Sequence, residues 1–163
     1  ANGHAPFCHC LVTGNVIADN FQTYDAAAIE AGHIPDRSSY RVARSIFLAD
    51  SKEEADRLAR NNSLGQNFNY IGRLFDKGLG RQIYKRDLEM SDEDCNLDFL
   101  MTEQIIAGDV DYALERLDAL IEEVGDFGHL VLMSYDWDDK ESWVRSMELF
   151  ANELMPRLNA KYA

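Results

Sequence analysis

The sequence is poor in cysteine, proline and positive charge, and each shortage excludes something. Three cysteines, Cys8, Cys10 and Cys95, form no evenly spaced framework in 163 residues. That argues against a disulfide-built secreted domain and makes a reducing cytoplasm the expected setting. No apolar run approaches the roughly 20 residues of a membrane span, and the first residues do not read as a signal peptide. Sixteen basic residues against 29 acidic ones give a formal charge of -13. Such a chain repels phosphate backbones, so neither nucleic acid nor a membrane is an expected partner. Only three prolines interrupt the chain, which leaves long stretches free to form regular structure.

What is present is 46% apolar content, enough for one sizeable core. The most informative stretch is Phe127 to Leu158. Leu130 to Met133 is a short unbroken apolar run, which predicts a buried strand. Ser134 to Asp138 stops it. Asp138 followed by Glu141 has the spacing of a capping box. The helix beyond should bury Trp143, Val144, Met147, Phe150, Ala151, Leu154 and Leu158.

Earlier in the chain, residues 7–12 read as a short strand. Residues 16–31 read as a helix closed by Gly32. Residues 40–49 read as a strand apolar on both faces. Ser51 and Glu54 open another helix, and a second helical piece carries Phe68, Ile71, Leu74 and Phe75. Residues 81–97, rich in charge, read as an exposed excursion. Residues 97–106 read as a short helix, and 110–124 as a longer one capped by Asp109 and closed by Gly125. The alternation is α/β, with about three parallel strands and covering helices. Three parallel strands cannot close a barrel, so both sheet edges should stay open. The chemistry of such folds sits at the carboxyl ends of the strands, which here points to Ser134–Asp138.

Few residues suggest a site. Cys8 and Cys10 could reach a soft metal with His4 or His9, but no second ligand pair follows, and small buried cysteines are the better reading. No metal is expected. Arg41 and Arg44 lie in a largely apolar strand. A buried guanidinium calls for an anion, either a structural carboxylate or a ligand phosphate. Tyr135, Asp136 and Trp137 either line a pocket rim or pack on and cap the following helix. No glycine-rich phosphate loop, nucleophile elbow or zinc protease motif occurs.

Several ordered segments resemble one family. They are YRVARSIFLAD from Tyr40 to Asp50, SKEEA from Ser51 to Ala55 and MSDED from Met90 to Asp94. FGHLVLMSYDW from Phe127 to Trp137, RSMELFA from Arg145 to Ala151 and ELMPR from Glu153 to Arg157 continue the pattern. Together they resemble bacterial-luciferase-like flavin-dependent monooxygenases. The resemblance implies the carboxyl-terminal part of a (β/α)8 TIM barrel, spread over residues 1–163 and incomplete by itself. It implies a reduced-FMN-dependent monooxygenase that inserts one oxygen atom from O2 into a small organic substrate, with a separate flavin reductase supplying the reduced cofactor. On this reading Arg41 and Arg44 contact the cofactor, and Tyr135, Asp136 and Trp137 form the substrate rim. FMN belongs to the complete protein, and this chain alone should bind it weakly or not at all. A missing amino-terminal half, or another copy, should cover the sheet edges. The alternative is a non-catalytic binding or assembly fragment of the same fold. Two departures stand out. Gly108-Asp109-Val110 replaces the family's Gly-Ser/Thr-Pro, and Ser134-Tyr135 precedes Asp136-Trp137 where the family often has Gly-His.

Overall fold

A computed structural model describes residues 4–78 and 80–162; Leu79, inside the Gly78–Gly80 break, lies outside them. Four strands alternate with helices. β1 is Phe7–Cys8, β2 Arg41–Leu48, β3 Ile105–Gly108 and β4 His129–Leu132. All pairings are parallel, and β2 is the partner in every one. The helices are α1 (Gly14–Glu30), α2 (Lys52–Asn61), α3 (Ser63–Phe75), α4 (Leu97–Glu103), α5 (Val110–Val124), α6 (Lys140–Leu149) and α7 (Met155–Tyr162).

The hydrogen bonds fix which edge of β2 each partner uses. Arg41 and Ala49 donate to Pro6 and Gly108, whereas the carbonyls of Tyr40 and Arg44 accept from His129 and Met133. Successive residues of a strand point their backbone groups to opposite edges. β1 and β3 therefore share one edge, end to end, and β4 holds the other. The result is a partial, unclosed parallel sheet flanked by helices, part of a TIM-barrel-like fold.

β2 is longer than any partner, and side chains fill the gaps. On the β1/β3 edge, bridging stops at Val42 and resumes at Ser45. The carbonyl of Ala43 faces that break, and Arg44 Nη1 donates to it at 3.0 Å. On the other edge β4 ends level with Arg44, and the N–H of Leu48 donates instead to Ser146 Oγ at 2.8 Å. A buried backbone group left without a partner costs about 1–3 kcal/mol, so both substitutions matter.

Both faces of β2 are covered. Val42, Ile46 and Leu48 pack with Ile17 and Phe21 of α1, Leu117 and Leu120 of α5, and Leu154. Ala43's side of the strand carries Phe47 and Ala49, which pack with Ala55 and Ala59 of α2, Phe68 of α3, Leu100 of α4 and Trp143. Phe47 meets Trp143 edge-on at 4.8 Å between ring centres.

Local signals account for most helix ends. Ser51 accepts from Glu54 N–H, and Asp109 from Tyr112 N–H. Gly32, at φ 79°, takes the left-handed conformation. It donates to Ile29 while His33 donates to Ala28, which closes α1 in a Schellman motif.

Four expectations are corrected. The helix expected over 97–106 ends at Glu103, and Ile105–Gly108 is a strand. Residues 81–97 are no mere excursion, because Tyr84 is fully buried against Phe68 and Phe75 and Cys95 is fully buried in the same core cluster. The cap of α6 is Asp139, which accepts from Ser142 N–H, while Asp138 accepts from Trp143 Nε1. Finally, Val144 and Met147 are exposed while Ser146 is buried. The helix turns Ser146 inward to meet the Leu48 N–H. Pro156 cannot donate and crowds the carbonyl four residues back, and a wider π turn, Phe150–Leu154, precedes it.

Candidate functional site

The carboxyl ends of β1 and β4 open on a cleft of about 480 Å³. That is within the range of small-molecule sites. β1 stops pairing after Cys8, and the turn that follows brings His9, Cys10 and Leu11 to one wall. Met133, Ser134, Tyr135 and Asp136 leave β4 to form the opposite wall. Ser63, Asn67 and Ile71 of α3 close the side. Ser63 Oγ donates to the Asp136 carbonyl at 2.5 Å, which ties the loop after β4 to the start of α3. Asn62 caps α3 through Leu64 N–H and so fixes where Ser63 stands.

Behind the cleft lies a buried polar cluster. Tyr135 reaches inward, and its hydroxyl sits 2.5 Å from Ser45 Oγ. Burial raises the Tyr135 phenol well above its ordinary range, against the lowering effect of Ser45. It therefore stays protonated and acts as a hydrogen-bonding wall rather than a base. Cys10, beside Ser45 and Tyr135, is also buried, and burial pushes its thiol up despite those two hydrogen bonds and the nearby Arg44 charge. A thiol so held is a poor nucleophile. Cys8, Cys10 and Cys95 are all free and buried.

Arg44 is 1% exposed. Its Nη1 caps the Ala43 carbonyl and its Nη2 has no partner. Burial lowers its pKa to about 10. The anion expected for this guanidinium is not a carboxylate, since among the described residues Arg44 makes no ion pair. Its structural duty is to a backbone carbonyl.

The residues singled out from sequence do not all meet. Tyr135 and Asp136 line the cleft. Trp137 is exposed and stands outside its walls. Arg44 lies behind Cys10 without reaching the cleft. Arg41 is exposed at the opposite, amino-terminal end of β2. His9, Ser63 and Asn67 were missed as cleft residues. No motif marks them, since their meeting depends on β1 ending two residues into an apolar run and on the packing of α3.

A larger depression of about 790 Å³ lies beside the carboxyl end of β2, where acidic residues with Lys140 and Arg145 share the lining with Leu48, Ala49, Leu58 and Val144. Arg145 pairs there with Asp50 at 2.6 Å. Its charged residues are exposed to solvent, and the buried residues on its wall, Leu48 and Ala49, are apolar.

No protein-family profile matches the chain. Among curated proteins it is 33% identical to 3,6-diketocamphane 1,6-monooxygenase of Pseudomonas putida over 141 residues, 85% of this chain and 37% of that protein. It is 27% identical to 2,5-diketocamphane 1,2-monooxygenase 1 of the same organism, over 88% of this chain and 40% of that protein. It is 29% identical to 4-hydroxyprotoasukamycin monooxygenase of Streptomyces nodosus subsp. asukaensis, over 88% of this chain and 37% of that protein. The chain thus spans about two fifths of the length of these relatives. Among solved structures, it matches the oxygenating constituent of 3,6-diketocamphane monooxygenase, a type II Baeyer-Villiger monooxygenase from Pseudomonas putida, in complex with FMN. The TM-score is 0.77 at 31% identity, covering 93% of this chain and 41% of the other. The fold is shared also with the monooxygenase RslO1 from Streptomyces bottropensis, at TM-score 0.66 and 20% identity, covering 95% of this chain and 42% of the other.

Proposed function

The chain belongs to the bacterial-luciferase-like flavin-dependent monooxygenases, and from that premise we propose that it is the carboxyl-terminal part of an oxygenase using reduced FMN and O2 on a cyclic ketone. The observation that carries this reading is the match to an FMN-bound oxygenase, together with a cleft at the carboxyl ends of the strands. The ketone follows from the diketocamphane relatives. FMN, when bound, supplies the oxygen chemistry; the protein supplies position and a dry wall.

The residues present fit part of this cofactor. Leu11, Ile71 and Met133 give the cleft apolar walls suited to a flat ring, and no lysine or arginine lines it. A neighbouring groove shares Ser63, Asn67 and Asp136 with the cleft and carries Arg73. That arginine is suited to an anionic tail. Arg44 contributes a buried positive charge behind the cleft, and Arg41 serves the far end of the strand. Tyr135 and Asp136 form the rim, with Trp137 flanking it. The remaining pocket wall belongs to a further segment, an amino-terminal half or another copy, that covers the open edge of β4. A flavin reductase delivers the reduced cofactor, and the reducing cytoplasm keeps the three thiols free.

The experiment is turnover by the longer protein that carries this sequence, supplied with reduced FMN, O2 and 3,6-diketocamphane. Lactone formation that falls in Tyr135→Phe supports the reading. Absence of any oxygenated product, with the flavin bound, favours a non-catalytic binding fragment.

A further inference from the structure

His9 stands on the cleft wall where β1 has just left the sheet. The backbone N–H of Leu11 donates to His9 Nδ1 at 3.3 Å, and Cys10 Sγ lies 3.5 Å from the same nitrogen. A neutral imidazole has one donor and one acceptor nitrogen. A backbone N–H cannot exchange roles, so Nδ1 is the acceptor and the ring proton sits on Nε2. The Nε2–H has no acceptor among the described residues, and the ring is exposed toward the cleft.

The other polar groups there are less suited to direct a ligand. The Tyr135 hydroxyl is engaged with Ser45, and the Ser63 hydroxyl with the Asp136 carbonyl. Asn67 and Ser134 each offer both a donor and an acceptor and so do not discriminate. The one formal charge on the walls is the Asp136 carboxylate, which disfavours an anion. Apolar walls, no cation and one donor of fixed sense suit a neutral ligand with a strong acceptor oxygen, such as a ketone.

We propose that His9, through Nε2–H, is the donor that orients and polarises the substrate carbonyl in this cleft. The assignment rests on the oxygenase reading above. A preorganised donor at a carbonyl oxygen stabilises the negative charge that develops there when the carbonyl carbon is attacked. The turn at residues 9–11 is then more than a strand end, because the Leu11 N–H sets the tautomer that makes His9 a donor.

The test is a nitrogen-detected NMR titration of the longer protein that carries this sequence, labelled with 15N-histidine, with 3,6-diketocamphane as the probe and His9 assigned by the signal lost in His9→Phe. The expected result is an Nε2-protonated His9 in the ligand-free protein and a downfield shift of that proton on adding the diketone. His9→Phe should weaken diketone binding about tenfold, the loss of one hydrogen bond. His9→Gln, whose amide nitrogen falls near Nε2, should hold it within about threefold. A merely structural histidine would not produce that rescue. An Nδ1-protonated ring, an unchanged affinity in His9→Phe, or no diketone binding overturns the assignment. FMN added to the same sample separates the two readings. FMN binding by the longer protein, read from the flavin fluorescence, with a diketone that leaves His9 unmoved, overturns only the role of His9. If the longer protein binds neither FMN nor the diketone, the oxygenase reading fails with it.

Discussion

β2 and β4 lie side by side in one sheet, yet they live in different surroundings. From Val42 to Leu48 every residue of β2 is buried, including an arginine and a serine. No residue of β4 is buried, although its sequence, His129-Leu-Val-Leu132, is equally apolar. The difference is position. β2 is paired on both edges and covered on both faces, whereas β4 has β2 on one edge only, and no described strand takes the other. An apolar edge strand left open is a template for pairing. Burial here records how many neighbours a strand has, not how hydrophobic it is.

That comparison can be broken most sharply by truncating one side chain in each strand. Phe47→Ala removes a fully buried ring stacked edge-on with Trp143 and should cost about 3–5 kcal/mol in urea unfolding. Leu132→Ala, on half-covered β4, should cost about 1 kcal/mol. Equal costs would mean that β4 is as enclosed as β2 in solution.

A smaller effect probes the edge where β4 runs out. Ser146→Ala leaves the buried Leu48 N–H without an acceptor and should destabilise by about 1–3 kcal/mol. The neighbouring exposed Met147→Gln should stay within about 0.5 kcal/mol. A reversed order would put the helix back in the phase that exposed Ser146 and buried Met147.

The smallest change at neutral pH concerns Arg44. Arg44→Met removes a buried charge but also uncaps the Ala43 carbonyl. These oppose each other, and the net change at pH 7 should be under about 1 kcal/mol. The pH dependence is sharper. Burial lowers the folded-state pKa of Arg44 to about 10, below its unfolded value, so the unfolded chain binds more protons above pH 10. The penalty is in full force below pH 10 and is relieved as pH rises through it. Arg44→Met should remove that rise from the stability profile between about pH 10 and 12, and an unchanged profile would show that Arg44 is solvated.

Much of this was legible in sequence. The long strand announced itself from Tyr40 to Ala49 because both alternating faces are apolar. Caps at Ser51 and Asp109 and the stop at Gly32 have local causes, so local patterns found them. What stayed hidden depends on contacts distant in the chain. Ile105–Gly108 is too short for its period to separate strand from helix end. Ser146 is polar, and only the unpaired Leu48 N–H, 98 positions away, explains its burial. Tyr84 and Cys95 sit in a charged stretch; the rings of Phe68 and Phe75 cover Tyr84, and Cys95 joins the same core cluster. At the candidate site, the loop after β4 was readable as a cleft wall at the carboxyl end of the sheet, and with it Tyr135 and Asp136. His9 was not, since its place depends on where β1 stops. Arg44 was rightly read as buried, but its partner is a carbonyl in the broken edge of its own strand, which no residue pattern displays.

The central proposal is that this chain holds one side of a flavin cleft whose other side lies elsewhere in a longer barrel. The most direct measurement is a fluorescence titration of FMN against the 163-residue chain and against the longer protein that carries it. The account predicts tight, stoichiometric binding by the longer protein and weak or absent binding by the chain alone. Tight binding by the chain alone, or none by either, would contradict it.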